Sequence, residues 1–238
     1  MSPSGGGTIS RNLDLAYYTS GTSVTVTATP ASGYAFTGWS GASTDTNTRV
    51  VIPMNGNKTL TANFKMTFTD SRDGKTYKMV VIGGQTWMAE NLNHYTENDS
   101  RCFDNDNTNC TKYGRLYIWV VADTICPAGW RLPYSSDWDA LKQVANGSAK
   151  KLKSKTWISY GSGGIWTDDF GFSALPGGHS GYNYASGIGD DGYWHTRNRY
   201  IIGMRYNSDS VFVSRFEDLT SWVQPDYYFC SVRCIRNN

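Results

Sequence analysis

The sequence predicts an α+β fold built mainly from antiparallel strands with one main helix, preceded by a small β-rich domain. Three observations carry this. Residues 22–30 (TSVTVTATP) alternate apolar and polar side chains, the pattern of a half-buried strand. The 25 glycines, with Thr, Ser, Tyr and Trp together in excess over Leu, Glu and Lys, favour strands and turns. One segment, about 136–145, has helical periodicity. A 238-residue chain with 39% hydrophobic and 14% aromatic residues can build one medium core or two smaller ones.

Residues 1–7 form a Ser/Pro/Gly leader, expected to be a flexible linker. Residues 8–65 are expected to form a compact β unit with strands at 22–30, 34–39, 49–53 and 58–64, the last two separated by the turn Asn55-Gly56-Asn57. Tyr34, Phe36, Trp39 and Phe64 are its expected core, with Trp39 as an exposed binding platform the alternative. A boundary falls near residues 65 and 66, giving two independently folding units, the second spanning 66–238. There, 77–82 and 85–88 flank Gly83-Gly84, a two-residue hairpin signal. The helix has Ser135 or Ser136 to cap it, Trp138, Leu141, Val144 and Ala145 as its stripe, and Gly147 to end it. Further strands are expected at 200–205, 210–216 and 228–236.

Five signatures follow one another from residue 68: FTDSRDGKTYKMVVIGGQTWMAENLN (68–93), CFDNDNTNCTKYGRLYIW (102–119), ICPAGWRLPYSSDWDAL (125–141), DDFGFSALPGG (168–178) and SVRCIR (231–236). In that order they resemble the Fibrobacter succinogenes major paralogous domain, a family of bacterial exported and surface proteins. The resemblance covers about 66–238 and implies a C-type lectin-like fold and a location more than a reaction. The stretch VTVTATPASGYAFTGWSG with NKTLTANF resembles the internalin-type B-repeat (Listeria–Bacteroides repeat) of bacterial surface proteins. No second copy is present, so it reads as a single spacer unit.

Cysteines stand at 102, 110, 126, 230 and 234, with no C-x-x-C pair and no His at zinc-finger spacing. Cys102 and Cys110 flank a polar, turn-rich loop suited to a local disulfide, and a Cys126–Cys234 bridge would staple the last strand back onto the domain. The resemblance makes these four the usual set and Cys230 an addition, either free or competing with Cys234. Five reduced, buried thiols in a cytosolic protein is the competing reading. The implied location is extracellular or cell-surface. MSPSGGGTIS has neither the basic nor the apolar region of a signal, so an exported protein would be a mature chain whose signal or anchor had been removed. No apolar run approaches the ~18 residues needed to cross a bilayer. The net charge of +2 and scattered Lys and Arg argue against a nucleic-acid partner.

Catalysis needs titratable groups brought together, and few are distinctive here. His94, His179 and His195 have no H-E-x-x-H spacing, and Ser180 in GHSGY lacks the flanks of a nucleophile elbow. GIGDDG (187–192) matches a dinucleotide fingerprint by letter only, since no helix follows and two aspartates would face a pyrophosphate. Asp104, Asn105, Asp106, Asn107, Asp168-Asp169 and Asp190-Asp191 offer the hard oxygens calcium takes, without a complete calcium loop. No cofactor is expected, with calcium the one candidate, and Asx turns explain the same residues. The C-type lectin-like resemblance extends to formylglycine-generating enzymes, whose chemistry needs a reactive cysteine pair. Cys230 and Cys234, four apart on one strand, would stand roughly 13 Å from each other.

The segment 193–228 is rich in Tyr, Trp, Arg and Asn, which give large contact area at low entropic cost together with adaptable hydrogen bonding. His195, Arg197, Asn198, Arg199, Tyr206, Asn207, Asp209 and Trp222 are the candidate exposed binding residues, with Ile202, Met204, Val211 and Val213, or their immediate neighbours one register step away, turned inward. Where the family usually has a segment like YWWSATE, this chain has YWHTRNR (193–199), as a variable protein of a diversity-generating retroelement would. The expected function is non-enzymatic recognition of a surface glycan or protein. The alternatives are a carbohydrate-active enzyme or its accessory domain, whose carboxylates would come from Asp168, Asp169, Asp190 and Asp191, and a purely structural scaffold.

Overall fold

The computed structural model describes residues 4–157, 166–181, 184–219 and 227–237. The chain divides into two compact units, Met1–Thr69 and Asp70–Asn238.

In the first unit, β1 (Gly7–Arg11), β2 (Thr22–Pro30) and β4 (Arg49–Met54) form one antiparallel sheet in the order β1-β2-β4. β3 (Tyr34–Gly41) pairs with β5 (Leu60–Thr69). Alternation sends Val24, Val26 and Ala28 of β2 and Val50 and Ile52 of β4 inward against Trp39, Ala62 and Phe64. Phe36 sits edge-on to Trp39 and Phe64, at centroid distances of 5.3 and 5.7 Å. Trp39 is buried and donates its indole N–H to the Asn47 carbonyl (2.9 Å), so it is a core residue and no platform.

Two expectations need correction here. The leader does not extend to residue 7. The Gly6 carbonyl accepts from Ala31 N–H (3.0 Å), and Gly7 begins β1 where a Cβ would lie 2.5 Å from the Thr29 carbonyl and 2.6 Å from the Phe64 ring. Glycine is there for close approach. The expected boundary at residues 65 and 66 lies inside β5, which runs on to Thr69.

In the second unit, β6 (Thr76–Ile82) and β7 (Gln85–Met88) form the hairpin predicted from Gly83-Gly84, whose φ angles of 58° and 83° are those the tight turn demands. After β8 (Ser100–Arg101), α1 (Asn107–Tyr113) follows, then β9 (Leu116–Ile118), α2 (Trp119–Ala122) and β10 (Trp130–Arg131). α3 (Ser135–Val144) is the predicted helix. Its N-cap is Tyr134, whose backbone N–H is held by Asp137 Oδ2 (2.7 Å). Trp138, Leu141 and Ala145 are buried as expected, whereas Val144 is exposed. β11 (Gly177–Ser180), β12 (Ala185–Ile188), β13 (Asp191–His195), β14 (Tyr200–Arg205), β15 (Val211–Arg215), α4 (Phe216–Leu219), β16 (Phe229–Ser231) and β17 (Ile235–Arg236) complete the chain.

The larger sheet has the order β15-β14-β13-β11-β16-β9-β8, with β12 on β11. In the smaller, β17 sits between β10 and β7, and β6 follows β7. The main core gathers Trp87 and Ile235 from the smaller sheet, Trp138 and Leu141 from α3, and Trp194, Ile202, Met204 and Val211 from the larger. Trp138 touches Trp87 (5.1 Å), Phe172 (5.6 Å) and Trp194 (5.6 Å). The opposite face of β13–β14 is covered too, by Tyr193, Ile201, Phe216, Tyr228 and Cys230. Ile202, Met204 and Val211 are buried as expected, whereas on edge strand β15 Val213 is exposed and its neighbour Phe212 is the residue partly buried.

Disulfides join Cys102 to Cys110 and Cys126 to Cys234, and Cys230 is free and buried. The strand expected over 228–236 is broken, with Cys230 in β16 of the larger sheet and Cys234 just before β17 of the smaller. The cysteine geometry inferred from one continuous strand therefore does not hold.

Candidate functional site

The binding residues predicted from 193–228 fall into two groups and one exception. Arg197, Asn198 and Arg199 make the β13–β14 turn. Tyr206, Asn207 and Asp209 make the β14–β15 turn at the far end of β14, roughly 20 Å away at about 3.4 Å per residue. The two turns cannot form one contiguous contact. Trp222 lies outside the described residues.

His195 is the exception. Expected at the surface, it is fully buried, because β13 is central in the sheet and both of its faces are covered. One ring nitrogen, Nε2, lies 2.8 Å from the Tyr117 carbonyl and donates to it, while Nδ1 has no hydrogen-bond partner. Burial holds the imidazole neutral and lowers its pKa from 6.5 to about 4. The unfolded chain therefore binds a proton near pH 6.5 that the folded protein refuses until about pH 4. Stability should fall by up to about 3 kcal/mol as pH drops across that window. Denaturant unfolding at pH 7 and pH 4.5 should show this loss in the wild type and a smaller loss in His195→Gln. Equal losses would place the acid sensitivity elsewhere.

The far turn is engaged in holding the fold. Tyr206 packs on the main core, and its N–H donates to the Asp190 carbonyl (2.7 Å). Asp209 Oδ1 accepts from Ser148 Oγ (2.8 Å) and Lys150 N–H (2.7 Å). Beside it, buried Lys153 lies over Trp166 (4.0 Å) and donates to the Ser208 carbonyl (2.7 Å). Desolvation brings its pKa down to about 8. Asn207 alone is exposed without a structural duty evident in its contacts.

The near turn builds a surface. Thr196 closes it, exchanging hydrogen bonds with Tyr200 through its hydroxyl (2.8 Å each). Asn198 is pinned to the start of α3, accepting from Ser135 N–H (3.0 Å) and donating to Ser135 Oγ (2.9 Å). Trp119, at the start of α2, donates its indole N–H to the Thr196 carbonyl (3.0 Å). The Arg199 guanidinium lies 4.6 Å from the Trp119 ring centroid and pairs with Glu217 (3.0 Å). Arg197 reaches Tyr134 (5.9 Å) and pairs with Asp123 (3.2 Å), while Arg131, bidentate on Asp137, lies 5.6 Å from the same ring. Val120 is 60% exposed and Tyr134 40%. The result is a ledge of aromatic rings, guanidinium groups and amides, with each arginine balanced by a carboxylate. The sequence pointed to Arg197, Asn198 and Arg199. It missed Trp119, Val120 and Tyr134, which join them only because α2 and the α3 cap fold alongside.

The catalytic candidates are occupied otherwise. Ser180 Oγ is buried and donates to backbone carbonyls, 3.1 Å from that of Tyr184. His179 stacks among Tyr193 (4.9 Å) and Tyr228 (5.3 Å), with its pKa held down by burial. GIGDDG spans the end of β12 and the start of β13 with no helix after it. Asp106 caps α1 through Thr108 N–H (2.8 Å), and Asp168 accepts from Ser173 N–H (2.8 Å) and Oγ (2.5 Å). Asp191, whose pKa desolvation raises, accepts from the Tyr193 hydroxyl (3.1 Å). One acidic group that the sequence did not single out, Asp70, Asp73 and His94, brings its ligand atoms within 4.8 Å of one another. Arg72 holds Asp70 and Lys75 holds Asp73, so the chain supplies its own cations there. A polar cleft of about 210 Å³ is lined by Asn93 and Lys112 among others.

A small β unit followed by a disulfide-bonded α+β domain that carries an aromatic and arginine ledge defines a modular β-rich protein. The chain belongs to the Fibrobacter succinogenes major domain family, which matches residues 80–236. Residues 1–67 match the divergent InlB B-repeat domain. Neither is an enzyme family. No curated protein and no solved structure matches the chain. Among the described residues no helix is long and apolar enough to cross a membrane.

Proposed function

We propose that this chain is a non-catalytic recognition module of an exported bacterial surface protein, and that its C-terminal domain, of C-type lectin-like type, binds a surface glycan or protein. The observation that supports it is the ledge, where Arg197, Asn198 and Arg199 meet Trp119 and Tyr134 on a turn tied down by Thr196 and Asn198. A rigid aromatic and arginine surface loses little entropy on binding, which is the condition for a hot spot. The two disulfides and both family matches are consistent with an oxidising, extracellular setting. Tyr206, Asn207, Asp209 and His195 are not part of the proposed site.

A glycan and protein-ligand array, probed with and without calcium, identifies the ligand class. For the ligand it finds, Tyr134→Ala and Arg197→Ala should each weaken binding about 30-fold, the ratio for ~2 kcal/mol. Asn207→Ala, at the opposite turn, should stay within about twofold. Ledge variants that bind like the wild type would leave the domain as a structural scaffold. A ligand lost only on removing Asp168 or Asp191 would favour the carbohydrate-active reading.

A further inference from the structure

The β1–β5 unit has a cavity that a mere spacer does not need. Between its two layers lies a space of about 350 Å³ floored by Val24, Val26, Trp39, Ile52 and Leu60. That volume is in the range of small-molecule sites. Two exposed lining residues, Arg11 and Lys58, are cationic, and no lining residue is acidic. The polar atoms of the aromatic lining are already engaged, since Trp39 donates to the Asn47 carbonyl and the Tyr18 hydroxyl to that of Leu13 (2.7 Å). The cavity shares Arg11, Tyr18, Met54 and Lys58 with a second hollow of about 540 Å³, so these four residues line the passage between them. The loop beside that hollow carries Leu15 at 54% and Tyr17 at 90% exposure. An apolar interior therefore sits behind a cationic mouth.

Arg11 is paired with Asp14, but both side chains are largely exposed, and such pairs are weak and readily exchanged. Counting Arg11, Lys58 and Asp14, the mouth carries one positive charge in excess. Apolar walls favour a hydrocarbon or aromatic body at about 25 cal/mol per Å² removed from water. The charge then selects what stands at the entrance. We propose that this unit binds a free amphiphilic monoanion, with its apolar body among Val24, Trp39, Ile52 and Leu60 and its acidic group at Lys58 and Arg11. This goes beyond the recognition function and does not depend on the ledge.

Three probes with one body and different heads decide it: decanoate, decanol and decyltrimethylammonium, titrated calorimetrically into the full chain below their micelle concentrations. Decanoate should bind at least tenfold more tightly than either of the others. Lys58→Glu should erase that preference, Met54→Trp, which fills the passage, should abolish binding of all three, and Lys65→Glu, exposed on β5, should change nothing. Far-UV circular dichroism of each variant confirms that the fold is retained. Equal binding of the three probes, no binding of decanoate, or decanoate binding insensitive to Lys58→Glu would overturn the proposal. So would capture of the protein on anionic phospholipid vesicles with decanoate inert, which would mean a membrane surface and no free ligand. A Tyr17-dependent dimer that excludes decanoate would overturn it in favour of self-association.

Discussion

Replacing Cys126 and Cys234 together by alanine is expected to cost about 4–5 kcal/mol, the value for closing a loop of this length in the chain-entropy model. The bridge spans 108 residues, whereas Cys102–Cys110 spans 8 and is worth roughly 2.5 kcal/mol on the same relation. Topology adds a reason for the larger figure to be realised. β17 is the last strand, yet it lies between β10 and β7, and the Cys234 carbonyl accepts from Met88 N–H (3.0 Å). Without the bridge, the chain end must find an interior position in a sheet from the far end of a long loop. Domains of this size are stable by only 5–15 kcal/mol, so the double variant should be close to unfolding at 37 °C. Urea titration of the wild type, the Cys126/Cys234 variant and the matching Cys102/Cys110 variant checks this. A larger loss from the short bridge would show that loop closure is not the source of the stability.

How far the sequence revealed this structure depended on which surfaces each segment faces. β2 was legible because one of its faces is solvated, so its alternation survives in the letters. β14 was legible as a strand at 200–205, but the burial of both faces of β13 and β14 was not, because Trp194 and Ile202 face one core while Tyr193 and Ile201 face another. An inside and an outside were inferred there, and His195 was misplaced as a result. α1 escaped notice because NTNCTKY has weak helix propensity. It is held by Asp106 at its start and by the Cys102–Cys110 bridge within it. The glycines at 6 and 7 looked like a linker, since composition cannot distinguish a flexible glycine from one that makes room for Phe64. Half of the ledge was legible as a polar aromatic turn. Trp119 and Tyr134 come from more than 60 residues earlier and carry no local sign of their destination.

The family signatures themselves turn out to specify the core, and this gives the second large effect. Asn91, from the ENLN segment, accepts through Oδ1 from Trp194 Nε1 (2.9 Å) and from Arg233 Nε (3.2 Å) and Nη2 (2.9 Å). Its Nδ2 donates to the Tyr113 carbonyl (2.8 Å) and Ser231 Oγ (3.2 Å). Arg233, from SVRCIR, is fully buried, its remaining hydrogen bonds going to the carbonyls of Phe172 and Ser173. Amide and carbonyl dipoles thus carry a buried guanidinium whose pKa desolvation pulls down to about 9. Asn91→Ala removes the shared acceptor and strands that charge, which should cost about 3–5 kcal/mol. Arg233→Met removes the charge along with its need for partners and leaves Trp194 to satisfy Asn91, so it should cost well under half as much. Urea unfolding of the two variants tests the asymmetry. If Arg233→Met were as damaging as Asn91→Ala, packing around Phe172 would be what the signature protects, and the buried charge would be incidental to it.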